Sequence, residues 1–255
     1  MSTPGSPLLA VEGVGHAFGG FRVLSSVSFD VPPGGLVGLI GPNGSGKTTL
    51  FNIVSGFIHP LAGGVHFEGQ PLGTSNVVAR SRRGLVRTFQ TPKVFEHLSV
   101  LENVMAGLYK CSRGGIVASM LRLPVARREM ARMADQAAAT CDAFGLGSMK
   151  HVLAGALTAG ARRNVELARA TVSEPRLLLL DEPSSGLATE EVAQLREQLH
   201  RINRAGLAIL LVSHDMELMA MADHVHVLSA GEIIASGSMN DLHHNPQVQQ
   251  VYLGL

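Results

Sequence analysis

Tryptophan is absent and tyrosine occurs only twice, so every aromatic beside a candidate ligand loop has to be weighed on its own. Cysteine also occurs twice, as Cys111 and Cys141. Two are too few for a disulfide framework, and small buried or idle thiols in a reducing, cytosolic compartment are expected. Charge of one sign is lacking too: 21 Lys and Arg against 20 Asp and Glu leave a formal +1. Such a balance gives no electrostatic reason to expect nucleic acid as a partner. Mean hydropathy is +0.21, yet no apolar run approaches the roughly 18 residues that a membrane-crossing helix needs. The chain is therefore not expected to enter a bilayer by itself. Met1 to Pro7 has neither a basic segment nor an apolar one and is expected to be a flexible start rather than a signal peptide. No internal repeat and no second phosphate-loop pattern occurs, so the chain carries the parts of one nucleotide site.

What is present is a phosphate-loop pattern. Gly41-Pro42-Asn43-Gly44-Ser45-Gly46-Lys47-Thr48 fits G-x-x-x-x-G-K-[ST] between an apolar strand-like run, Leu36 to Ile40, and a helix-like continuation from Thr49 to Phe57. The glycines let consecutive N–H groups turn inward, and the helix adds its positive end. Lys47 supplies a mobile cation for the β- and γ-phosphates, and Thr48 a hydroxyl for Mg²⁺.

Leu8 to Val14, Val27 to Val31 and Val65 to Phe67 read as a small antiparallel β layer. Phe18, in the loop between the first two, is either a stacking platform for a purine or a core plug. Gly84 to Phe89 reads as a strand, and Pro92 sets Gln90 at its junction with a loop, where the amide would face Mg²⁺ or solvent. Arg80, Arg82, Arg83 and Arg87 are expected on a solvated face. A capping box at Ser99 and Glu102 opens a helix broken at Gly114-Gly115, and a second helix runs from Arg127 to Phe144. Residues 91–160 thus form a helical insert, with Val94, Phe95 and Leu98 at its entrance as core or binding surface. Leu157 to Ala161 precedes a helix, a weak anion-site candidate.

Leu177 to Leu180 is a continuous apolar run, as expected for a strand buried on both faces, and it ends in Asp181-Glu182. The carboxyl ends of such strands are where ligands bind in open α/β sheets. Asp181 is expected to hold Mg²⁺, and Glu182 to orient or deprotonate water. Thr189 to Arg204 has the pattern of an amphipathic helix, and Ile209 to Val212 that of a further buried strand. His214 follows that strand, where a neutral imidazole would contact the γ-phosphate.

In this order the parts resemble the ATP-binding cassette (ABC) family from Leu8 to Leu255. Gly41 to Thr48 is similar to its Walker A motif, Gln90 to its Q-loop, Leu157 to Ala161 to its signature, and Leu177 to Glu182 to Walker B with the catalytic glutamate. Ser184 to Ala188 resembles the D-loop, His214 the switch histidine and Phe18 the A-loop aromatic. The resemblance implies an α/β P-loop NTPase, an ABC ATPase core (residues 8–90 and 161–255) with an antiparallel β layer and an inserted helical subdomain (residues 91–160). It implies ATP and Mg²⁺ as cofactors, with ATP held by Phe18, Gly41 to Thr48, Thr49, Thr158 and Gly160. Thr48, Gln90 and Asp181 would serve Mg²⁺, and Glu182, His214, Lys47 and Gln90 would carry catalysis.

Arg87 to Gln90, Leu98 to Val104 and the ending from Asn245 to Gly254 are similar to the ATP-binding subunit of branched-chain amino-acid importers. That implies two membrane permease subunits, a second ATPase copy or a sister chain, a substrate-binding protein, and a place on the cytoplasmic face of the membrane. Two departures stand out. The signature reads Leu157-Thr158-Ala159-Gly160-Ala161 where LSGGQ is usual, and Ala188 replaces the D-loop aspartate. Hydrolysis is expected to be retained, with Ala161 and Ala188 the points at which closure or coupling would weaken. An ABC ATPase driving export of lipid or lipopolysaccharide shares every catalytic motif, and a non-transport ABC ATPase or an ATP-holding module are further alternatives.

Overall fold

The computed structural model describes residues 6–109 and 124–253, so Cys111 and the Gly114-Gly115 break lie outside the described residues. In chain order the strands are β1 (Leu9–Phe18), β2 (Phe21–Val31), β3 (Leu36–Ile40), β4 (Ala62–Phe67), β5 (Gln70–Pro71), β6 (Leu85–Arg87), β7 (Leu177–Asp181), β8 (Ala208–Val212), β9 (His224–Ser229) and β10 (Glu232–Gly237). The chain divides into two compact units: Met1–Arg87, Arg176–Ser184 and Leu199–Leu255 form one, and Thr88–Pro175 and Ser185–Gln198 the other.

The first unit holds two sheets. β1 is antiparallel to β2, with Leu9 opposite Val31, and to β4, with Leu9 opposite Phe67. The resulting sheet, in order β2-β1-β4-β5, is the expected antiparallel layer. The second sheet runs β10-β9-β3-β8-β7-β6, parallel except for the β9–β10 hairpin at one edge. Side chains alternate across it. Val37, Leu39, Leu177, Leu179, Leu210 and Val212 join one core with Phe51, Phe67 and Val27, while Leu178, Leu180, Ile209 and Leu211 are buried on the opposite face. Burial on both faces is why these strands are apolar without interruption.

The arginines before β6 depart from the expected solvated face. Arg80 is buried, donating from Nη1 to the carbonyls of Ile53 (2.5 Å) and Val54 (2.8 Å) and from Nε to that of Ser75 (2.9 Å). It thereby satisfies the last carbonyls of the helix Lys47–Ser55, groups that have no partner within a helix. Burial, and then Arg83, brings its pKa down to about 10. Arg87 is also withdrawn from solvent, and Arg83 donates to the Phe67 carbonyl at 2.9 Å. Arg82 is exposed. A run of like charges says nothing about how far each stem reaches inward.

The second unit is helical, with Val100–Ala106, Pro124–Ala143 and Ala159–Thr171 as its main helices. Ser99 and Glu102 complete the capping box in both directions. Asn103 is fully buried and holds the turn before that helix: its Nδ2 donates to the carbonyls of Phe95 (3.0 Å), Leu98 (3.3 Å) and Ser99 (3.0 Å), and its Oδ1 accepts from the Phe95 N–H (2.8 Å). Phe95 and Leu98 are left exposed on that turn. Cys141 is buried, its thiol pKa pushed up to about 11 chiefly by burial, as fits an inert core thiol.

Candidate functional site

Each parallel strand delivers one part at its carboxyl end. β3 leads into Gly41 to Gly46 and the helix Lys47–Ser55, β8 into Ser213 and His214, β7 ends in Asp181 and Glu182, and β6 ends in Arg87. Because β3, β8, β7 and β6 are neighbours in that order, residues far apart in the chain converge.

The loop is closed around its own lysine. Lys47 Nζ donates to the carbonyls of Gly41 (2.6 Å) and Pro42 (3.0 Å). Burial lowers the pKa of this ammonium, and the charges of Glu182 and Asp181 oppose that fall. Gly46 needs its glycine twice over: its φ is +107°, and a Cβ would meet the Leu24 side chain and the Val23 carbonyl of the layer behind it. Ser45 Oγ is buried without a hydrogen-bond partner among the described residues, and the first-turn N–H groups of Lys47, Thr48 and Thr49 have no partner within their helix. An orphaned donor beside a positive helix end suits a bound phosphate.

Glu182 is held in an uncommon backbone conformation, φ +47°, with its N–H donating to the Val212 carbonyl at 2.8 Å. Its carboxylate faces His214: Oε1 lies 3.2 Å from Nε2, and Oε2 accepts the His214 backbone N–H at 3.2 Å. Burial raises the pKa of this carboxyl against the lowering influence of His214 and Lys47. Asp181 Oδ2 accepts from Arg87 Nη2 at 2.8 Å, while Arg87 Nη1 donates to Asn52 Oδ1 (2.7 Å) and Ser55 Oγ (2.9 Å). Its guanidinium also sits 5.6 Å from the ring centres of Phe51 and Phe57. Sequence reasoning missed Arg87, whose partner is 94 positions away. The exposed Thr48 hydroxyl and the other oxygen of Asp181 suit Mg²⁺, which typically takes one or two protein groups together with phosphate oxygens.

Phe18 is 52% exposed and meets His16 edge-on at 4.6 Å, so it is not a core plug. Gln90, Thr158 and Gly160 belong to the second unit. The Gln90 side chain is exposed. Thr158 caps the helix Ala159–Thr171, its Oγ1 accepting the Ala161 N–H at 3.3 Å. A Cβ on Gly160 would run into the Glu191 carboxylate. Glu191 itself accepts the Ala188 N–H at 3.0 Å, the half of a capping box that needs no side chain from Ala188, at the start of the helix Thr189–Arg204. A glutamate three residues past a bare cap position was the available signal for it.

Residues 24–185 match the ABC transporter family. The chain belongs to that family. Among similar proteins, the high-affinity branched-chain amino acid transport ATP-binding protein LivG of Salmonella typhimurium is 36% identical over 255 aligned residues, covering 97% of this chain and 98% of the relative. The lipopolysaccharide export system ATP-binding protein LptB of Escherichia coli K12 is 32% identical over 249 residues, covering 96% of this chain and 97% of the relative. A solved nucleotide-free ATP-binding cassette from an ABC transporter superposes with a TM-score of 0.84 at 28% identity, covering 98% of this chain and all of that one. The ABC chain is thus a P-loop ATPase subunit with the fold expected of it, and among its described residues no helix is long and apolar enough to cross a membrane.

Proposed function

We propose that this ATPase powers import of branched-chain or other hydrophobic amino acids through two membrane permease subunits, working at the cytoplasmic face of the membrane with a second copy or a sister ATPase. A substrate-binding protein would deliver the solute. The single observation that carries the catalytic reading is the convergence of Lys47, Asp181, Glu182 and His214 at the carboxyl ends of β3, β7 and β8. Identity to LivG along nearly the whole chain supports the transported class.

Lys47 and the loop N–H groups hold the phosphates and meet the charge that grows on them in the transition state. Thr48 and Asp181 would hold Mg²⁺, with Gln90 near it, and the bound ion would neutralise phosphate charge. Glu182 takes the proton of the attacking water, and His214 fixes the carboxylate that does so through its backbone N–H, with the imidazole Nε2 3.2 Å from Oε1. The Phe18 ring offers its face to a purine. Thr158 and Gly160 act on the nucleotide of the second copy, so that hydrolysis and closure of two copies are linked. Phe95 and Leu98, exposed on the turn held by Asn103, present an apolar surface to a permease helix.

Uptake of labelled leucine, isoleucine and valine by cells lacking this chain is the deciding measurement. Loss of uptake, restored by the native chain and not by Lys47→Ala, is expected. Unchanged uptake together with an envelope lipid defect would favour the export reading instead, which the identity to LptB keeps as the second candidate.

A further inference from the structure

The helix Ala159–Thr171 carries Arg163, Glu166 and Arg169 at intervals of three, and nothing in the motif reading gives them a task. Arg163 and Glu166 are 1% and 3% exposed at the side chain and lie 2.6 Å apart. Their other hydrogen bonds reach one segment, and Arg163 Nε is buried without a partner among the described residues. Arg163 donates to the carbonyls of Phe89 (2.8 Å) and Gln90 (2.5 Å). Glu166 Oε1 accepts the N–H of Lys93 (3.2 Å) and of Phe89 (3.4 Å). Arg169 donates to the Lys93 carbonyl and lies 5.2 Å from the centre of the Phe95 ring. Burial pushes the Glu166 pKa up, opposed mainly by Arg163.

A buried ion pair is a poor device for stability, since apolar side chains of similar volume often do as well or better. What this one supplies is direction: two charged forks grip the backbone on both sides of Gln90 and leave its side chain free. We propose that Arg163 and Glu166 are positioning residues that lock the Gln90 segment to the helix bearing Thr158 and Gly160 at its start, so that both ends of that helix move with Gln90 as one body. From Thr158 to Arg163 is five residues, about 7.5 Å of helix, short enough to stay rigid. This rests on the reading that Gln90 acts on the nucleotide.

The test compares Glu166→Ala, Glu166→Gln and Gln90→Ala with the double variant Gln90→Ala/Glu166→Ala. It measures kcat and KM for ATP, and amide hydrogen exchange over residues 89–95. In Glu166→Ala, exchange in that segment should rise at least about tenfold. Its kcat should fall roughly tenfold with KM for ATP within about twofold of native, as for a misplaced group that binding does not depend on. Glu166→Gln, which keeps an oxygen acceptor, should recover part of both. The double variant should lose no more than Gln90→Ala alone, because the glutamate acts through the glutamine.

Additive losses in the double variant, or native exchange in Glu166→Ala, would overturn the proposal. Should Glu166→Ala not fold, Glu166→Gln is read in its place: exchange over residues 89–95 should rise and kcat fall by smaller factors in the same directions, and native values of both would overturn the proposal. A Gln90→Ala protein with native turnover would refute the role given to Gln90, and the exchange measurement would then decide by itself whether Glu166 holds the segment.

Discussion

At the scale of the residue, Glu182 joins geometry to chemistry most closely. Its strained φ and the two contacts to His214 keep a partly buried carboxylate from drifting, and burial raises its pKa. Replacing it by Gln preserves size and hydrogen bonding but removes the base. Hydrolysis should fall by roughly 10² or more, with ATP bound at least as well, in a phosphate-release assay beside nucleotide titration. A base held above the ordinary carboxyl value should also show in the native protein as an acid limb in kcat/KM displaced upward from pH 4.5. An acid limb at or below the ordinary value would remove Glu182 as the titrating base.

His226 makes an independent prediction about stability. Buried beside Phe29, with Nδ1 2.7 Å from Ser236 Oγ and the His224 ring at 4.9 Å, it has its pKa lowered to about 4 by burial and then by His224. The folded state therefore prefers the neutral ring, so its contribution is complete above the unfolded value of about 6.5 and is lost as pH falls from there toward 4. The loss amounts to about 3 kcal/mol at most. Urea midpoints at pH 7.5, 5.5 and 4.5 should fall more steeply for the native chain than for His226→Gln. Parallel curves would mean that the ring is not held neutral.

At the scale of the element, the turn from Phe95 to Ser99 shows how one buried amide can support a surface. Asn103 satisfies three carbonyls and one N–H there, so two large apolar side chains stand exposed on backbone that does not itself need burial. Phe95→Asp should cut co-purification with the permease subunits at least about tenfold while ATP affinity stays within about twofold. Equal loss of both would make Phe95 a core residue of the helical unit. Most elements were legible beforehand. The capping box at Ser99, the alternating layer strands and the unbroken run Leu177 to Leu180 each carry a local periodicity, and β7 and β8 lie where those patterns put them. The arginines were not legible. Whether a long stem turns inward depends on carbonyls left open by another element, as with Arg80 and the end of the helix Lys47–Ser55.

At the scale of the whole molecule, one chain is expected to be half of a machine. With ATP and Mg²⁺, Glu182→Gln should elute as a dimer in size-exclusion chromatography and return to monomer when nucleotide is removed, since bound ligand stabilises the state that binds it. A variant that is inactive yet stays monomeric would instead implicate the altered segment Thr158 to Ala161, or the need for a sister chain.

By itself the sequence determined the phosphate loop, the two acids after an apolar strand, the histidine after the next strand, and the order in which they occur. Each is a local pattern, set by what a strand end or a helix start requires within a few residues. Only the tertiary structure decided the pairings. Arg87 meets Asp181 because β6 lies beside β7, Glu182 meets His214 because β7 lies beside β8, and Gln90 is gripped by Arg163 from 73 positions away. Strand order and helix facing are settled by how apolar faces share one core, and no local spacing encodes that.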